Sequence, residues 1–121
     1  MKKILLVEDD PFLVDIYSTK LENAGFSVEV APDGKTGLKK IREEEYDLVV
    51  LDIVLPQMDG WEVLREVKKD PQLQDVRIFV FSNLGQKEEV EKGLEMGAVK
   101  YFIKAHFTPQ DIVDEIKKTL L

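Results

Sequence analysis

The sequence predicts an α/β domain, a doubly wound parallel sheet of five strands with helices on both faces. Five short apolar runs rich in Val, Ile, Leu or Phe recur along the 121 residues. Amphipathic segments of helical length separate them. Most of the runs are nearly continuous rather than alternating, as in strands covered on both faces. Successive β–α units joined by right-handed crossovers then give a parallel sheet, whose ligands sit outside the carboxyl ends of the strands.

The strands are expected at Ile4–Val7, Phe26–Val30, Leu48–Leu51, Val76–Phe81 and Val99–Ile103. The first helix opens at Pro11 with Asp10 as its N-cap, carries Leu13, Ile16, Tyr17, Leu21 and Ala24 at helical spacing, and ends at Gly25. Asp33 starts the second, which turns Leu38 and Ile41 inward. The third runs from Trp61 to Lys69 and is stopped by Asp70-Pro71. The fourth, Gln86 to Met96, is the weakest: Val90, Leu94 and Met96 are its apolar anchors, and Gly93 in its interior costs about 1 kcal/mol relative to Ala. Thr108-Pro109 opens the fifth, with Ile112, Val113, Ile116 and Leu120 inward. No linker, repeat or low-complexity segment divides the chain, so residues 1–121 read as one domain.

Composition removes several functions. No apolar run approaches the roughly 20 residues of a membrane span, and MKKILLVEDD meets acid too soon for a secretory leader. The expected location is the cytoplasm. With no cysteine and one histidine, His106, neither a disulfide scaffold nor a zinc site is expected. A net charge of −7 argues against direct nucleic-acid binding by this chain. Gly34-Lys35-Thr36 lacks the rest of a nucleotide-binding loop, since Glu29 stands where its first glycine belongs.

The strand tips carry the chemistry. Ile4–Val7 runs into Glu8 and Asp9, and Leu48–Leu51 into Asp52. A single acid at a strand end is most often a turn residue. Acids on two tips point instead to a shared cation, and oxygen-only ligands in a small open site select Mg2+. Val80-Phe81 ends in Ser82, and Tyr101-Phe102-Ile103 ends in Lys104, whose ammonium needs the carboxylates as partners. Acid, acid, hydroxyl and ammonium on four tips describe phosphoryl chemistry with Asp52 as nucleophile.

These residues, with ILLVEDDP, LVVLDIVLPQMDGWEVL, VFS and YFIK around them, resemble the receiver domain of bacterial two-component response regulators over essentially the whole chain. The resemblance implies a flavodoxin-like strand order 2-1-3-4-5. It implies Asp52 as phosphoacceptor from a sensor histidine kinase, and Glu8 and Asp9 as the acidic pair that positions Mg2+. Asp9, Asp52 and the backbone carbonyl of Val54 are the direct ligands in that scheme. Ser82 and Lys104 match the family's switch hydroxyl and lysine, Tyr101 its aromatic switch, and Pro56 and Gly60 the turn after the acceptor. Phosphorylation then draws Ser82 and Lys104 inward, Tyr101 rotates into the vacated space, and the face of the fourth helix, fifth strand and fifth helix changes for an output domain or target. A phosphorylation-linked homodimer is a further implied partner. Such a domain catalyses its own phosphorylation and slow dephosphorylation without being a turnover enzyme.

The chain departs from the family in places. Ala105 stands where Pro usually follows the lysine in a cis peptide, so Lys104–Ala105 is expected trans and the next loop re-routed. Asn83 is larger than the usual neighbour of the hydroxyl, which narrows access. Val54 and Leu84 flank the path of attacking water and cannot orient it, so loss of the phosphoryl group is expected to be slow. Competing readings are an interaction module that works without phosphate, a phosphohydrolase of the haloacid dehalogenase type, and a flavodoxin-like carrier. The second expects an Asp at Val54, and the third a phosphate loop where the acidic EDD stands. Lys87, Lys92, Lys100, Lys117 and Lys118 offer charge for pairing on the output face.

Overall fold

A computed structural model describes all residues, 1–121. Five strands, β1 (Lys3–Val7), β2 (Ser27–Ala31), β3 (Leu48–Leu51), β4 (Ile78–Ser82) and β5 (Lys100–Ile103), form one sheet. Its order is β2-β1-β3-β4-β5 and every pairing is parallel. The helices are α1 (Pro11–Asn23), α2 (Gly34–Glu43), α3 (Gly60–Lys69), α4 (Lys87–Glu95) and α5 (Pro109–Leu120). No helix is long and apolar enough to cross a membrane.

Strand alternation divides the interior in two. Leu5, Val7, Val49, Leu51, Ile78 and Val80 face one way, onto Leu38 and Ile41 of α2 and Val63, Leu64 and Val67 of α3. Ile4, Leu6, Leu48, Val50, Phe79 and Phe81 face the other, onto Tyr17 and Leu21 of α1 and Ile112, Val113 and Ile116 of α5. Both faces are therefore covered, which is why the central strands read as unbroken apolar runs.

The caps act where the sequence places them. Asp10 accepts the Phe12 N–H at 2.9 Å, Asp33 that of Thr36 at 2.7 Å, and Thr108 with Asp111 closes a reciprocal box at α5. The fourth strand begins later than expected. Pro71–Leu73 forms a short 3₁₀ turn and Val76 N–H bonds back to Leu73, so Val76 belongs to the turn and not to the sheet. A second correction concerns α4: Leu94 is 45% exposed and is no anchor, and the only buried residue of that helix is Gly93. The Lys104–Ala105 bond is trans, and Lys104–His106 turns as a short 3₁₀ segment.

The edge strand β2 is secured by charge. Glu29 accepts Lys3 Nζ at 2.9 Å, Lys40 Nζ at 3.4 Å and the Tyr46 hydroxyl at 3.1 Å. Hydrogen bonding from Lys3 outweighs partial burial, and with Tyr46 and Lys40 holds the Glu29 carboxyl at about 2, against 4.5 for an ordinary glutamate. A depressed acid stabilises the fold above the unfolded value and loses that contribution as pH falls toward the folded one. The nominal contribution is about 3 kcal/mol. Solvent screening of a side chain 30% exposed reduces it to about 1 kcal/mol. In thermal unfolding, Glu29→Gln is therefore expected to be less stable than the parent at pH 7, and the difference to shrink between pH 4.5 and 2. A gap that ignored pH would contradict the assignment.

Candidate functional site

The register of the sheet brings the tip residues together. Val7 pairs with Leu51, so Glu8 and Asp52, each the next residue, emerge side by side. Ser82 pairs with Ile103 at the ends of β4 and β5, and Lys104 follows directly.

Asp52 is 6% exposed. Its Oδ1 accepts the N–H groups of Ile53 at 2.7 Å and Val54 at 3.4 Å, and its Oδ2 accepts Lys104 Nζ at 2.8 Å. Glu8, 2% exposed, turns Oε2 to the N–H groups of Asp9 at 3.1 Å and Asp10 at 3.2 Å. Its Oε1 lies 2.7 Å from Lys104 Nζ but off the hydrogen-bonding direction, so this buried oxygen has a charge beside it and no hydrogen bond. Lys104 thus stands between two carboxylates at the mouth of the sheet. Asp9 is exposed on the rim.

Electrostatics follow from burial and these contacts. Burial pushes the Glu8 carboxyl above its ordinary value; Lys104 opposes that shift and the charge of Asp52 reinforces it. Burial alone would lower Lys104, yet the hydrogen bond to Asp52 and the adjacent Glu8 carboxylate outweigh it and hold the ammonium above its usual range. Oxygens of Glu8, Asp9 and Asp52 lie within 4.8 Å of one another. Three oxygen donors suit a hard divalent cation, and Glu8 also has a buried oxygen without a hydrogen bond.

Ser82 is fully buried and its Oγ accepts the Leu84 N–H at 3.3 Å. The Tyr101 hydroxyl donates to the Leu84 carbonyl, so Leu84 is held through both its N–H and its C=O. Burial raises the Tyr101 hydroxyl to about 12, which keeps it a donor at neutral pH. Val54 is 61% exposed at the rim, and Leu84 is half-buried. The side chain of His106 is exposed on its short turn.

Residues 4–117 match the response regulator receiver domain family. The chain belongs to that family. The alkaline phosphatase synthesis transcriptional regulatory protein PhoP of Bacillus subtilis is 36% identical over 98% of this chain and 48% of its own length. The DNA-binding dual master transcriptional regulator RpaA of Synechocystis is 32% identical over 99% of the chain and 49% of its own length. The receiver thus spans about half the length of the curated relatives it matches. Among solved structures, a CheY-like receiver domain from Methanospirillum hungatei superposes with a TM-score of 0.90 at 32% identity, covering 99% of this chain and 94% of that one. The response regulator TrrA of Thermotoga maritima, in complex with Mg2+ and beryllofluoride, gives 0.85 at 30% identity, covering 99% of this chain and all of its own.

Several features of the receiver are absent from a reading of motifs. Met58 closes a three-residue turn on Pro56 in the loop after β3, with Gln57 at φ 68°, a conformation costly for a side chain of its kind. Trp61 on α3 takes Lys92 Nζ of α4 over its ring at 4.3 Å. Lys100 is already paired with Glu115 at 3.0 Å and Lys87 with Glu91 at 3.9 Å. Much of the charge expected for a partner is therefore engaged within the chain.

Proposed function

We propose that residues 1–121 form a phosphoacceptor receiver in which Asp52 takes a phosphoryl group from the phosphohistidine of a sensor histidine kinase. The observation that carries this is the buried Asp52 carboxylate at a strand tip, ion-paired to Lys104 and beside the Glu8–Asp9 pair. One carboxylate oxygen attacks phosphorus in line, the P–N bond breaks, and the imidazole leaves with the electron pair and takes up a proton. The Asp52 carboxylate, ion-paired to Lys104, is the nucleophile as it stands and needs no general base. Its backbone-anchored Oδ1 and lysine-held Oδ2 fix the direction of attack.

Asp9, Asp52 and the Val54 carbonyl would ligate Mg2+ directly, with Glu8 positioning it. When bound, the ion supplies positive charge for the phosphoryl oxygens. Lys104 neutralises a second oxygen, and Ser82 exchanges the Leu84 amide for a phosphoryl partner, which pulls the loop after β4 inward. The β4–α4 loop and the face of α4, β5 and α5 then change for an output domain, a target protein or a second receiver. Relatives named as transcriptional regulators support an output of that kind, and the cytoplasm is the location that fits a receiver fed by a sensor kinase.

Incubation with acetyl phosphate and Mg2+ is expected to add one phosphoryl mass to the protein, and Asp52→Asn to abolish it. With Val54 and Leu84 flanking the site, the label is expected to persist for minutes or longer. Labelling without Mg2+, or decay within seconds, would contradict these assignments. A receiver acting without phosphate would take no label in either form.

A further inference from the structure

The switch scheme has Tyr101 turn inward after phosphorylation, yet here its ring is already packed against the fold and its hydroxyl already bonded to Leu84. The reason lies in α3 and α4. A Cβ on Gly93 would stand 2.6 Å from Tyr101 Cδ2 and 2.9 Å from Cε2, so the ring rests on bare helix backbone. The same point lies 3.8 Å from Trp61 Cζ3, which closes the notch from α3. On the outside, Lys92 Nζ covers the indole at 4.3 Å from its centre. Gly93 is the one buried residue of α4, a position where propensity alone disfavours glycine. Its lack of a side chain is what gives the ring room.

We propose that Gly93, Trp61 and Lys92 form a seat that holds Tyr101 inward before phosphorylation, which makes them positioning residues for the switch. The seat rests on the assignment of Asp52 as acceptor and Tyr101 as switch. Its consequence is thermodynamic. If the seated ring belongs to the phosphoryl-bound form, the apparent affinity for a phosphoryl mimic scales with the seated fraction, so unseating the ring weakens binding without touching an acidic residue. Lys92 contributes by keeping Trp61 against the ring from the solvent side.

Trp61 is the only tryptophan, so its emission reports the seat directly. The full chain, Gly93→Ala and Lys92→Gln are compared first without ligand, by emission and acrylamide quenching. They are then titrated with beryllofluoride at saturating Mg2+, and with Mg2+ alone. Ala is the stronger helix former, so a loss in Gly93→Ala reflects the contact and not an unravelled α4. Greater quenching is expected in both variants, with beryllofluoride affinity reduced ~10-fold in Gly93→Ala and ~3-fold in Lys92→Gln. Mg2+ affinity is expected to stay at the parent value. Should Gly93→Ala fail to fold, Lys92→Gln, altered at an exposed position, carries the test alone. Variants that match the parent in quenching and in beryllofluoride affinity overturn the seat, as does a parallel fall in Mg2+ affinity, which would mean general damage. A parent that binds no beryllofluoride overturns the acceptor assignment instead, while the quenching comparison still decides the seat.

Discussion

Lys104→Met is expected to lower stability by about 3 kcal/mol in metal-free buffer at pH 7, and to abolish acyl phosphate formation. The ammonium lies 2.7 Å from Glu8 and 2.8 Å from Asp52, and is itself only 13% exposed. Removing it leaves two buried carboxylates facing each other. At an effective dielectric near 20, like charges at the 4.8 Å limit of this cluster repel by about 3 kcal/mol. The methionine stem keeps most of the packing, so charge dominates the loss. Mg2+ is expected to restore part of the stability, since a divalent ion supplies the missing positive charge, but not the phosphorylation. Denaturant unfolding with and without Mg2+ checks both parts. A variant as stable as the parent in chelator would mean that the lysine does not hold the acidic pair.

The second large effect is expected at Gly60, the first residue of α3. A Cβ there would stand 2.4 Å from the Asp52 carbonyl oxygen and 2.7 Å from Ile53 Cα. Both neighbours are backbone, and Gly60 N–H bonds to the Ile53 carbonyl at 2.7 Å, so neither side has room to give. Gly60→Ala gains at most about 1 kcal/mol in helix propensity. The forced displacement costs about 3 kcal/mol, which leaves a net loss near 2 kcal/mol. Melting temperature should fall by roughly 8 °C for a domain of this size. Because the strained atoms belong to Asp52, the proposed acceptor, and its neighbour, phosphorylation should slow even in the folded fraction. Normal labelling kinetics in the folded variant would show that Gly60 matters for packing alone.

These two positions differ in how far the sequence discloses them. Lys104 is legible because an ammonium after Tyr101-Phe102-Ile103 is costly without a partner, and the apolar runs at β1 and β3 end in the acids that supply one. The order β2-β1-β3-β4-β5 makes β1 and β3 neighbours, and pairing of Val7 with Leu51 then converts two strand ends into one site. Gly60 is legible only as a turn residue. Its contact with Asp52 spans a loop whose path depends on the turn at Gln57. Glu29 is hidden in the same way: one acid in an apolar strand signals an edge, but not that Lys3, Lys40 and Tyr46 converge on it. The fourth helix was legible as weak from its few anchors. That its glycine faces Tyr101 was not, because the contact joins α4 to β5 and α3 through side chains that no periodicity relates.

Of all these expectations, the location of the phosphoryl group bears most directly on the function. An acyl phosphate on a carboxylate is reduced by borohydride to the corresponding alcohol, which marks the residue covalently. After acetyl phosphate and Mg2+, the mark is expected on Asp52 alone, and to vanish in Asp52→Asn. A mark on Glu8 or Asp9, or a labelled protein with Asp52 unmodified, would contradict the account.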